Sequence, residues 1–131
     1  MIDKLRDLLQ LGVDRQTTVI KTKTVTANAG ATSIMSLFKV PLGVTMLVEA
    51  TIFAKGATGS ERAVYKLVGA IKNIAGTTAL VGTVSVTAFE DDAAWAATFV
   101  ANDTKDTIDL QVTPDTATDT VFWGYATAIL P

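Results

Sequence analysis

The side chains best suited to act on another molecule are carboxylates, grouped as Glu90-Asp91-Asp92, Asp103 with Asp106, and Asp115 with Asp119. A hard cation such as calcium takes oxygen ligands from loops, so two such turns brought together would form a site. None of the groups has the alternating Asp-x-Asp-x-Asp-Gly loop closed by a glutamate. Asp in a turn ordinarily bonds its own backbone, and that is the expectation here, with no metal and no cofactor. Two carboxyl groups flanking a sugar would also suffice for glycoside hydrolysis, with Trp95 and Trp123 as a stacking platform. Period-2 alternation instead places both tryptophans on strand faces carrying Val, Phe and Ile, which predicts that they belong to the core.

Other catalytic plans lack their parts. The sequence has no histidine and no cysteine, so the commonest general base, thiolate ligands and disulfides are missing. "GATGS" and "AGTTALVG" have glycines but neither the lysine of a phosphate loop nor a strand-to-helix context, and read as hairpin turns. Without a histidine or an evident lysine partner no hydroxyl is marked as a nucleophile, and the many threonines read as strand formers. The chain is expected not to be an enzyme.

At 131 residues the chain fits one domain. It is 49% hydrophobic and 18% charged, against a usual charged fraction of about 25%, so part of its apolar surface is expected to meet another protein. Net charge is −2 and the lysines are scattered, which argues against nucleic acid as a partner. No apolar run approaches the roughly 18 to 20 residues of a membrane span. "MIDKLRDLLQLG" lacks the features of a secretory signal, which predicts assembly inside a cell.

Residues 1–14 read as an N-terminal arm and 15–131 as a β-sandwich domain. In the arm, Ile2, Leu5, Leu8 and Leu9 have helical spacing and Gly12 ends the turn, so a short amphipathic helix is expected. Such a helix is marginal alone and must pack its leucine face on the sandwich or on a neighbouring subunit. Arg15 to Gly30 reads as an outer strand whose Lys21 and Lys23 discourage edge pairing. Thr32 to Val40 is a second strand, closed by Pro41-Leu42-Gly43.

Val44 to Lys55 is apolar on both faces, with Val44, Met46, Val48, Ala50, Ile52 and Ala54 on one and Leu47 and Phe53 on the other. Glu49 interrupts the second face and is expected at a rim or opposite a cation. Glu61 to Lys72 sets Ala63, Tyr65, Leu67 and Ile71 against Arg62, Lys66 and Lys72. From Thr78 to Leu130 four strands follow. Their inward sets read Leu80, Val84 and Val86; Trp95, Ala97 and Phe99; Ile108, Leu110 and Val112; Val121, Trp123 and Tyr125. The total is about eight, which fits an all-β antiparallel sandwich, jelly-roll-like or immunoglobulin-like in connection.

The segment Leu80 to Ile129 resembles a β-rich module of tailed-bacteriophage virion proteins. In that module a "GT-x-x-V" strand and an acidic turn precede Trp, then an "L-x-V-T" strand and a Thr-rich turn lead to an aliphatic-x-Trp strand. The matching positions are Gly82, Thr83, Val86, Asp92, Trp95, Leu110, Val112, Thr113, Thr120, Val121 and Trp123; Pro114 stands where the module usually has glycine. The resemblance implies a virion part of capsid-decorating, head-fibre or tail-fibre type, assembled in the host cytoplasm. A short chain without a repetitive shaft suits a capsid decoration protein that stabilises the head, commonly as a trimer, with the major capsid protein and other virion proteins as partners. The alternatives are a tail or head-fibre module that binds a host receptor or glycan, and a neck or tail connector. The subunit or capsid interface is expected at Ile2, Leu5, Leu8 and Leu9 of the arm and at Leu47, Phe53, Phe122, Ala126, Ala128 and Leu130.

Overall fold

The structure is a computed structural model that describes residues 14–25, 32–56, 60–114 and 119–131. The arm, with Ile2, Leu5, Leu8 and Leu9, lies outside the described residues, as does Asp115. The described chain is all-β: β1 (Asp14–Val25), β2 (Ser33–Lys39), β3 (Thr45–Gly56), β4 (Arg62–Ile74), β5 (Thr77–Glu90), β6 (Ala96–Asn102), β7 (Thr107–Thr113) and β8 (Thr120–Leu130). They form two antiparallel sheets, one of five strands in the order β1-β8-β3-β4-β5 and one of three in the order β2-β7-β6.

The connections follow from turn chemistry. β3, β4 and β5 form a meander, the chain then crosses to β6 and β7 of the other sheet, and β8 returns beside β3. That is the spatial order of a Greek key, with the long connection spent on the second sheet. The β4–β5 hairpin turns on Ala75 and Gly76, both with positive φ (54° and 85°). Successive left-handed residues match the twist of the flanking strands, which is why such two-residue loops favour Asn-Gly. β1, with Lys21 and Lys23, is an edge strand of the larger sheet, as expected of a lysine-bearing outer strand.

Strict alternation builds the core where polar residues mark one face. Met46, Val48, Ala50, Ile52 and Ala54 of β3 are buried, as are Ala63, Tyr65, Leu67 and Ile71 of β4. They share one hydrophobic cluster with Ala97 and Phe99 of β6 and Ile108, Leu110 and Val112 of β7. β2 joins through a bulge between Ser36 and Phe38, which buries consecutive Leu37 and Phe38. Between the sheets, Met35, Leu110 and Val112 on one side and Ile52 and Phe122 on the other leave a cavity of only ≈ 10 Å³.

β8 departs from the expected register by one residue. Phe122, Gly124, Ala126, Ala128 and Leu130 turn inward and are buried, while Val121, Trp123 and Tyr125 turn outward. Phe122, Ala126, Ala128 and Leu130, expected at a subunit or capsid interface, are therefore buried within the single chain, with Leu130 also lining an open hollow at the end of the sheet. The cause is steric. β8 lies between β1 and β3, and its inner side carries Gly124 and two alanines between Phe122 and Leu130. At Gly124 a side chain would run into the Thr51 carbonyl of β3. A slip of one residue exchanges every side chain between faces, so this contact fixes the outer surface as well as the core.

Two substitutions test these local arguments by thermal unfolding. Gly124→Ala is expected to cost about 3 kcal/mol or more, at the upper end of overpacking, because backbone and not a flexible side chain obstructs the new methyl group. Ala75→Asn is expected to stabilise by about 0.5–1 kcal/mol, since Asn tolerates the left-handed backbone that costs Ala roughly 1–2 kcal/mol.

Candidate interaction surface

Among the described residues, the carboxylates of Glu90 to Asp92, Asp103 and Asp106 are engaged within the chain. The Thr78 N–H donates to Asp103 Oδ1 at 2.6 Å and the Thr78 hydroxyl to Asp106 Oδ1 at 2.8 Å, which ties the β6–β7 turn to the start of β5. Asp91 Oδ2 accepts from the Arg62 N–H at 2.9 Å, and Asp92 Oδ1 from the Ala94 N–H at 2.8 Å. Among the described residues no three acidic side chains gather as metal ligands. The acids serve as turn pins, as Asp in turns generally does.

Asp109 was not singled out by the sequence pattern. It sits in the middle strand of the smaller sheet and is 2% exposed. The Thr107 hydroxyl donates to Oδ1 at 2.7 Å and the Asn102 amide to Oδ2 at 3.2 Å. Thr107 shares its face two positions back and Asn102 is the cross-strand partner of Thr107. A Thr-x-Asp pair opposite an Asn was the available signal, and it reads as a pin of the β6–β7 hairpin.

Tyr65 reaches from the core to the rim. It is buried, and its hydroxyl donates to Glu90 Oε2 at 2.6 Å. Burial, above all, pushes its pKa well above the usual tyrosine range, and the bond to Glu90 and the negative charges of Glu90 and Asp92 push it the same way.

The outer face of the five-stranded sheet is the surface that stands out. In register across it run Trp123 of β8, Phe53 of β3, Val64 of β4 and Phe89 of β5. A second row runs Ile129, Leu47, Ala70 and Val81. Between these apolar rows lie Thr127, Glu49, Val68 and Ser85, then Tyr125, Thr51, Lys66 and Thr87. Phe53 and Trp123 stack with ring centroids 5.8 Å apart and planes 18° from parallel. Phe89 is 67% exposed, Tyr125 50% and Leu47 39%, so the face is apolar and open to water. At one end Leu47, Ala70, Ile129 and Pro131 line a shallow, open hollow of ≈ 360 Å³. Glu49 lies exposed on this face, and the cationic row of β4, Arg62, Lys66 and Lys72, is exposed as its alternation predicts.

Of the residues expected at an interface, Leu47 and Phe53 lie on this face. Trp123, Tyr125, Ile129, Val81 and Phe89 share this face and were not among the residues expected at an interface. Trp95 is buried at 2%, as read from the sequence, whereas Trp123 is half-buried on the outer face. Apolar residues on both faces of β3 and β8 were the signal for an apolar outer face. The choice of face within β8 was not legible from alternation.

No family model matches the chain, and neither does any curated protein. Among solved structures, the chain is similar to the tailspike protein of Acinetobacter baumannii phage AM24, at 12% identity and a TM-score of 0.40, over 89% of this chain and 26% of that one. It is also similar to the tailspike protein of Acinetobacter phage vB_ApiP_P1, at 18% identity and a TM-score of 0.32, over 89% of this chain and 21% of that one. The chain thus spans about a quarter of the length of these tailspikes.

Burial separates the two tryptophans in solution. Trp95→Ala is expected to cost roughly 3–5 kcal/mol and Trp123→Ala clearly less, because the outer ring loses only partial burial and one stacking partner. Acrylamide quenching of fluorescence should find one protected and one accessible population, and Trp123→Phe should leave only the protected one. Tyr65 gives a pH test. Its folded pKa is raised, so its contribution to stability is complete below the unfolded value of about 10 and declines as pH rises beyond it. Denaturant titrations should show stability falling above about pH 10, and Tyr65→Phe should remove that component.

Proposed function

We propose that this chain is a non-catalytic structural part of a phage virion, a decoration protein that binds the assembled head and stabilises it through the outer face of the five-stranded sheet. The observation that carries the reading is the pair of apolar rows across four strands, ending in an exposed Phe89. A monomer rarely leaves so continuous an apolar surface to water unless something covers it. The resemblance of Leu80 to Ile129 to virion modules supplies the kind of partner. The striped pattern suits a flat, extended neighbour such as a capsid shell, with Glu49 and Lys66 fixing orientation between apolar rows that supply the affinity.

A second reading rests on the aromatic side chains of the same face. Trp123 and Tyr125, flanked by Thr51, Glu49 and Lys66, are the components of a flat platform on which a sugar ring stacks, so a receptor- or glycan-binding module of a tail is the alternative.

Mixing the purified protein with heads that lack it discriminates the readings. The decoration reading predicts saturable binding and a raised melting temperature of the shell, since a ligand of the assembled state stabilises it by mass action. Phe89→Lys should weaken that binding about tenfold or more while leaving the fold intact, because the ring is largely exposed in the isolated chain. Absence of bound copies and an unchanged shell melting temperature would refute it, and binding to host-cell polysaccharide that Trp123→Ala abolishes would establish the second reading.

A further inference from the structure

β5 ends the five-stranded sheet, and among the described residues no strand pairs with its far edge. The first part of that edge is occupied, because Asp103 accepts the Thr78 N–H. Beyond it, Gly82 takes a φ of +71° and the register with β4 shifts. From Ser85 to Glu90 every residue is exposed, on both faces, so the strand projects past the cover of the smaller sheet. An edge of this kind presents unpaired N–H and C=O groups to any extended chain, and proteins normally blunt it with charge or proline. Thr77 to Phe89 contains neither, whereas the opposite edge strand, β1, carries Arg15, Lys21 and Lys23.

We propose that this edge joins two copies of the chain, which pair antiparallel over Gly82 to Glu90 about a two-fold axis at Val86 and so make one continuous sheet. The faces require the axis to pass through a residue rather than between two, and Val86 is the midpoint of Gly82 to Glu90. Val86 and Ala88 lie opposite Leu67 and Tyr65 on the core side, while Thr87 and Phe89 lie opposite Lys66 and Val64 on the outer side. Pairing about Val86 keeps core side with core side: Val84 meets Ala88, Val86 meets its own copy, Ser85 meets Thr87 and Thr83 meets Phe89. All are small, β-branched or aromatic, the pairs that stabilise sheets.

Charge selects the direction and the occupant. The acidic run Glu90 to Asp92 lies at one end of the strand only. A parallel pair would stack two such runs, while the two-fold arrangement sends them to opposite ends and sets each Glu90 against Gly82. A strand that matches itself so closely about one residue is an isologous contact, in which the same patch serves both partners. The contact engages the Phe89 end of one apolar row and leaves Trp123, Phe53, Leu47 and Ile129 free, and it does not depend on the virion reading.

The test uses the full chain in size-exclusion chromatography with light scattering, and a single introduced thiol in a sequence that has no cysteine. The wild type should be a dimer at micromolar concentration. Val86→Lys, which sets two like charges opposite each other, should weaken it by about tenfold or more while circular dichroism stays unchanged. Val86→Cys should form a covalent dimer on mild oxidation, and Lys39→Cys on β2 should not. A monomeric wild type, a dimer indifferent to Val86→Lys, or a Val86→Cys thiol that stays reduced while the control cross-links would each overturn the proposal.

Discussion

The contact between Gly124 and the Thr51 carbonyl governs the arrangement of this molecule. β8 is hydrogen-bonded to β1 on one side and β3 on the other, and at that point it has room for a hydrogen atom and no more. The small inward residues Gly124, Ala126 and Ala128 are buried against the core, and Phe122 beside them closes on Met35, Leu110 and Val112 around a cavity of only ≈ 10 Å³. The same register obliges Trp123 and Tyr125 to face outward. One steric condition therefore produces both a tight core and an aromatic outer surface.

That coupling explains which features were legible in the sequence. In β4, β6 and β7 one face is marked by Arg, Lys, Thr or Gln, and in β3 Glu49 interrupts the second apolar face, so the buried sets Met46 to Ala54, Ala63 to Ile71, Trp95 to Phe99 and Ile108 to Val112 follow from alternation. β8 carries apolar residues on both faces, so alternation alone has no preference, and ranking by size points to the wrong side. Size favours Trp123 and Tyr125 for the inner side, whereas the inner side holds Phe122, Gly124, Ala126, Ala128 and Leu130, with no room for a side chain at Gly124. Asp109 escaped notice for a related reason. A carboxylate reads as an exposed residue unless its two donors, one two positions back and one across the hairpin, are seen together.

The interface expectation divides along the same line. Leu47 and Phe53, on a strand apolar on both sides, are on the outer face, while Phe122, Ala126, Ala128 and Leu130 are consumed by the chain's own core. Two of the acidic turns hold loops to strands: Asp103 and Asp106 on Thr78, Asp91 on Arg62. The described surface offers a striped sheet face with exposed apolar rows and an edge strand without charge from Thr77 to Phe89. Affinity at such a face comes from a few well-buried aromatic anchors rather than from area alone.

The most direct measurement is acrylamide quenching of the two tryptophans, in free protein and in protein bound to heads that lack it. The account predicts that Trp123 is accessible in the free chain and becomes as protected as Trp95 on binding, with Trp95 unchanged. Trp123 remaining fully quenchable while the protein is demonstrably bound would contradict it.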